Sequence, residues 1–131
     1  MAGEGREPCL MHSADAASRG LVEGQVVWIF NARGACLAGL HISDDIMPGV
    51  IQISTGAWYD PHAGACRNGN PNVLTPDKGT SRLAQGPIAH SCLVEVEAAP
   101  EGVAHSQIYE PPHVIRPKRE NTSFEGHSTA R

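Results

Sequence analysis

No run of apolar residues in this chain approaches the roughly 18–20 that a membrane-spanning helix needs. Aromatic residues are scarce: two Trp, two Tyr and two Phe, 5% of the total. An excess of positive charge is also missing. Ten Lys and Arg face 14 Asp and Glu, a net charge of −4 with a pI near 5.9, which argues against nucleic acid as the main partner. The four cysteines, Cys9, Cys36, Cys66 and Cys92, form no C-x-x-C pair. Three disulfide pairings remain open on paper, but no spacing favours one, and free thiols are the reading. The stretch Met1–Cys9 is polar and Gly-rich and lacks the apolar core of a signal peptide, so the expected location is the cytoplasm, with the periplasm as the alternative.

The 131 residues amount to one domain's worth of chain. At 40% hydrophobic and 18% charged residues, a packed core is feasible. Fourteen Gly and ten Pro suit short strands joined by many turns better than a helical bundle.

Ser13–Arg19 predicts a short helix with Ser13 as its cap and Gly20 ending it in the left-handed conformation. Gln25–Phe30 is β-branched and aromatic and too short for a buried helix, so it predicts a strand covered on both faces. Asn31-Ala32-Arg33-Gly34 reads as a hairpin turn with Asn and Gly at positive φ. Ala35–Ile42 is the return strand, and Val50–Ser54 alternates as a half-buried one. Thr55–Asn72 is a long loop, and loops of that length tend to be functional or disordered. Val73–Thr75 predicts a short strand, Asp77–Gln85 a turn with one helical turn, and Ser91–Glu97 an outer strand. The hydrophobic pattern stops at Ala98, so residues 1–98 form the expected domain and 99–131 an extension, with Pro111–Arg131 a solvated tail. The sum is all-β with little helix, and a small closed barrel avoids exposed edges.

Chemistry-bearing patterns are sparse. His62 and Cys66 lie four apart and His90 and Cys92 two apart, short of the converging ligands a structural zinc needs, so no metal site is expected. No G-x-S-x-G elbow is present, and no catalytic residue is expected. Neither G-x-G-x-x-G nor a Walker A run occurs. What remains is Asn68-Gly69-Asn70-Pro71-Asn72 and Gln85-Gly86-Pro87, amides and bare backbone at loop tips. An amide offers donor and acceptor together and suits the edge of a purine or pterin ring. Glycine lets a ring or pyrophosphate approach the main chain. Any exposed turn has the same composition, so on physical grounds alone the bland reading wins.

A resemblance adds to that reading. Gly5-Arg6-Glu7-Pro8-Cys9, Ile46-Met47-Pro48-Gly49, Gly56-Ala57-Trp58-Tyr59-Asp60-Pro61, Gly69-Asn70-Pro71-Asn72-Val73-Leu74-Thr75, Gly79-Thr80-Ser81-Arg82-Leu83-Ala84-Gln85-Gly86 and Cys92-Leu93-Val94-Glu95-Val96-Glu97 occur in order. Together they resemble the C-terminal domain of molybdopterin oxidoreductases of the dimethyl sulfoxide reductase family. The nearest likeness is to its biotin sulfoxide and trimethylamine N-oxide reductase branches.

The resemblance implies a double-psi β-barrel that closes over a bis(molybdopterin guanine dinucleotide) molybdenum cofactor. It implies that Asn72, Gln85, Gly86 and His90 line the cofactor, with His90 standing where relatives often carry Gln. Trp58, Tyr59 and Asp60 would shape a nearby loop, plain packing being the alternative for the two aromatics. It also implies partners, the catalytic domains of a longer parent enzyme that carry the molybdenum ligand. The family's first strand of this domain would precede Gly5, and Met1–Glu4 is too short to supply it. A barrel with an open edge is therefore expected. The function implied is cofactor binding within a sulfoxide or N-oxide reductase, whose oxygen-atom transfer this chain does not perform alone. The alternative from another class is a stand-alone module that binds a nucleotide or a subunit without catalysis.

Overall fold

A computed structural model describes residues 5–90 and 92–115. Met1–Glu4, Ser91 and the part of the expected tail beyond residue 115 lie outside the described residues.

Among the described residues seven strands share one sheet. They are β1 (Pro8–Met11), β2 (Val26–Phe30), β3 (Ala35–Ile42), β4 (Ile51–Ile53), β5 (Pro61–His62), β6 (Ala65–Cys66) and β7 (Glu95–Ala98). The main path runs β4-β1-β3-β2-β7, with β6 pairing β3 and β5 pairing β6. One helix, α1 (Ser13–Ser18), and one 3-10 turn, Pro71–Val73, complete the named elements. The all-β reading holds.

Strand β3 organises the sheet. It pairs antiparallel with β2 from Val26↔Gly39 to Phe30↔Ala35, parallel with β1 from Pro8↔Gly39 to Met11↔Ile42, and parallel with β6 at Cys36↔Cys66. Its residues Ala35–Leu40 are all buried, because layers cover both faces. Val27, Ile29, Met11, Cys9, Leu74 and Val96 meet β3 in a single core. Among the described residues the path ends on two edges, β4 and β7. A groove of about 610 Å³ lies beside β4 and is also lined by Leu74, His90, Cys92 and Val94.

Strand β1 forms without a local strand signal. Pro8-Cys9-Leu10-Met11 has no β-branched residue, and its strand form comes from pairing with β3 on one side and β4 on the other. The helix stands where expected, but His12 caps it: Nδ1 accepts from the Ala14 N–H at 3.0 Å. The Ser13 hydroxyl instead donates to Asp44. Gly20 ends the helix at φ +65°, with Leu21 N–H bonded to Ala16 O at 2.9 Å and Gly20 N–H to Ala17 O at 3.2 Å.

The hairpin turn forms, yet neither Asn31 nor Gly34 takes a positive φ. Glycine is needed at 34 for space, since a Cβ there would sit 2.4 Å from the Val73 carbonyl oxygen. Val73–Thr75 is not a strand: Asn70 caps the 3-10 turn Pro71–Val73 instead, accepting from the Asn72 N–H at 2.9 Å. The expected helical turn within Asp77–Gln85 is a tight loop closed by a Gly79–Pro87 bridge and by Thr80 N–H to Gly86 O at 2.8 Å. The last strand starts later than expected, at Glu95, with Val96 buried between exposed Glu95 and Glu97.

Candidate functional site

The segment 68–75 is built by its own asparagines. Asn68 Nδ2 donates to the Trp58 carbonyl at 3.1 Å, and Asn70 Nδ2 to the Ala57 carbonyl at 2.9 Å. From the other side, Asn31 Nδ2 donates to Leu74 O at 2.8 Å and Leu93 O at 3.1 Å, while Asn31 Oδ1 accepts from the Arg33 N–H at 2.9 Å. Arg33 Nε also donates to Leu74 O, at 2.7 Å. The hairpin tip, the loop after β4 and the 3-10 turn are thereby locked together through buried or half-buried amides. Each such bond is worth more than its net stability, because breaking one strands its partner.

Asn72 is treated differently from its neighbours. It is exposed, and its side-chain amide makes no hydrogen bond among the described residues. It borders a cleft of about 440 Å³ with Arg33, Gly34, Tyr59, Gly64, Thr75 and Asp77. A free amide, a guanidinium oriented by its Nε bond and an exposed phenol are here joined by bare glycine backbone. That set suits a flat heteroaromatic ring joined to an anionic linker. The amide suits a ring edge, the ring of Tyr59 offers a stacking face, and Arg33, with Nε on Leu74 O and Nη2 on Cys92 Sγ, offers positive charge to phosphate.

The other expected residues lie apart from Asn72. Gln85 Nε2 donates to Ser81 O at 3.1 Å and Arg82 O at 3.2 Å, bracing its own loop. Gly86 accepts the Thr80 N–H within that loop. His90 borders the groove beside β4. Thr75 borders both that groove and the Asn72 cleft, so the two depressions adjoin along the 71–75 segment. Trp58 and Tyr59 are 74% and 60% exposed, so neither packs into the core of this chain. Arg33, Thr75 and Asp77 also border the cleft, although a hairpin tip and a loop carry no chemical signature in the sequence.

Asp60 is buried and bonded to Arg67, Oδ1 to Nη2 at 2.7 Å. Burial works against its ionisation. Hydrogen bonds from Arg67, the Gln107 N–H and the Ser106 hydroxyl, with the charge of Arg67, outweigh that and hold the carboxyl below the usual range. Burial also pushes the Cys9 and Cys36 thiols up to about 12, Cys36 further aided by its neighbours Cys66 and Cys9. At neutral pH both are inert core residues. Among the described residues no group of three His, Cys, Asp or Glu is placed to hold a metal ion, and no helix is long and apolar enough to cross a membrane.

Comparison with known proteins bears on the domain as a whole. A family model described as the Molydopterin dinucleotide binding domain matches residues 1–93. Trimethylamine-N-oxide reductase 1 of Escherichia coli strain K12 is 53% identical over 98 residues, covering 71% of this chain and 12% of that protein. Biotin sulfoxide reductase of Cereibacter sphaeroides is 48% identical over 97 residues, covering 72% and 13%. The dimethyl sulfoxide/trimethylamine N-oxide reductase of Rhodobacter capsulatus is 50% identical over 99 residues, covering 72% and 12%. The match thus spans about an eighth of the length of these relatives. Acetylene hydratase from Pelobacter acetylenicus superposes with a TM-score of 0.58 at 18% identity, over 73% of this chain and 15% of that one, a likeness of fold alone.

Proposed function

We infer the function from one premise: this chain belongs to the family of the Molydopterin dinucleotide binding domain, and so binds the dinucleotide of a molybdenum cofactor. We propose that it does so through the Asn72 cleft. The observation that carries this is the exposed amide of Asn72 beside Arg33 and Tyr59, in a cleft whose neighbour along 71–75 carries His90. Two adjoining depressions suit an elongated ligand. In this reading Asn72 bonds a ring edge, Arg33 draws in the diphosphate, Tyr59 covers a ring face, and the Gly34 and Gly64 backbone lets the ligand approach closely. Gln85, Gly86 and His90 would border the ligand from the second depression and from the 79–87 loop.

The form proposed is the bis(molybdopterin guanine dinucleotide) complex, held as part of a longer sulfoxide or N-oxide reductase in the cytoplasm, where the four free thiols stay reduced. When bound there, the group supplies oxygen-atom and two-electron transfer. This chain's residues bind and orient it, and the catalytic residues are proposed to lie on the parent's other domains.

The test is a graft. Residues 1–98 of this chain, β7 included, replace the matching domain of the full-length trimethylamine-N-oxide reductase, with and without Asn72→Ala. The graft is expected to hold molybdenum, and Asn72→Ala to lower the molybdenum content while circular dichroism stays unchanged. Equal molybdenum in both would remove Asn72 from the site.

A further inference from the structure

Beyond β7 the chain carries no buried residue among the described positions 99–115, yet part of it is held against the sheet. The Ser106 hydroxyl donates to Asp60 Oδ2 at 3.0 Å, and the Gln107 N–H donates to the same oxygen at 3.1 Å. The Arg6 guanidinium donates to the Ala104 carbonyl at 2.6 Å and, through its other terminal nitrogen, to the Arg67 carbonyl. The carboxylate of Asp60 is therefore divided, with Oδ1 on Arg67 and Oδ2 on the segment 104–107. Polar recognition rather than core burial keeps this segment in place, and two of its three contacts are to its main chain. It also lies beyond residue 93, where the family match ends.

We propose that Asp60, Arg6 and Arg67 form a docking site for the chain's own segment 104–107, and that the docked segment positions the Tyr59 wall of the Asn72 cleft. The second half rests on the cleft reading above. Asp60 follows Tyr59 directly, and the loop carrying both is held through the Ala57 carbonyl by Asn70, the Trp58 carbonyl by Asn68, the Asp60 main chain by the Arg67 N–H and Cys66 Sγ, and the Asp60 side chain by Arg67 and the segment 104–107. Asp60 is thus a positioning residue. Its side chain ties a segment distant in sequence to the backbone that presents Tyr59.

The experiment is amide NMR with hydrogen exchange on the full 131-residue chain, without nucleotide. Ser106→Ala removes one bond to the carboxylate and leaves the Asp60–Arg67 pair in place. It is expected to speed exchange of the Gln107 amide on the order of tenfold or more and to move the Tyr59 and Asp60 amide resonances. Ser106→Thr, which keeps the hydroxyl, is expected to restore both. Unchanged exchange at Gln107 would overturn the docking site. Faster exchange with Tyr59 and Asp60 unmoved would overturn the positioning role. Neither readout depends on nucleotide binding, so a failure here is separate from a failure of the proposed function.

Discussion

Asp60→Ala is expected to cost about 3–5 kcal/mol of folding stability, the scale of a buried ion pair robbed of one partner. The Arg67 and Asp60 side chains are 10% and 9% exposed, and Arg67 Nε already lacks a partner among the described residues. Removing the carboxylate leaves a cation in a site that water barely reaches. It also frees the Ser106 hydroxyl and the Gln107 N–H. Against a total stability of roughly 5–15 kcal/mol for a domain of ordinary size, the loss is large. Urea denaturation checks it through the midpoint, with the slope unchanged if only stability is affected.

The same pair predicts a pH dependence. The folded-state carboxyl of Asp60 is held below its unfolded value, so its stabilisation is complete above about pH 4. It is lost as the pH falls through the folded value. The stability difference between the wild type and Asp60→Asn is therefore expected to hold steady from neutral pH down to about pH 5 and to shrink below about pH 4.

Gly34→Ala is expected to cost about 1–3 kcal/mol, the range for forcing extra volume into a packed position. The added Cβ would lie 2.4 Å from the Val73 carbonyl oxygen and 3.3 Å from its carbon. Both atoms are backbone, and the next carbonyl, Leu74 O, is pinned by Asn31 and Arg33. No flexible side chain can yield, so the hairpin tip and the 3-10 turn must part. The cost is steric and not a matter of φ, because Gly34 is not left-handed. Thermal unfolding of the single variant and of Gly34→Ala with Val73→Ala separates the causes. Trimming the Val73 side chain is expected to give no rescue, since the obstruction is its carbonyl.

Strand β2 was legible because Val26–Phe30 is a continuous run of β-branched and aromatic residues, and β3 because the small and apolar residues Ala35–Leu40 follow directly on a turn signal. Strand β1 was illegible because its strand form depends on two partners distant in sequence. The 3-10 turn at Pro71–Val73 hid behind Val73-Leu74-Thr75, a local strand preference that the Asn70 cap overrides. At the site, the asparagine-rich loop was legible as a place of unusual amide density. The division of labour within it was not, since only the fold shows Asn68 and Asn70 spent on backbone carbonyls while Asn72 faces outward. Arg33 was hidden by lying on a hairpin tip. Asp60 and Arg67 sit on either side of the β5–β6 hairpin, and no sequence spacing announces that the turn brings them into contact.

Receipt of the cofactor's nucleotide by the Asn72 cleft is read out directly by a two-dimensional amide NMR titration of the whole chain with GMP. A dispersed spectrum is expected, with saturable shifts at Arg33, Tyr59 and Asn72 and none at Ile42, at the opposite end of β3 from the hairpin tip. A dispersed spectrum in which Arg33, Tyr59 and Asn72 ignore millimolar GMP would contradict it.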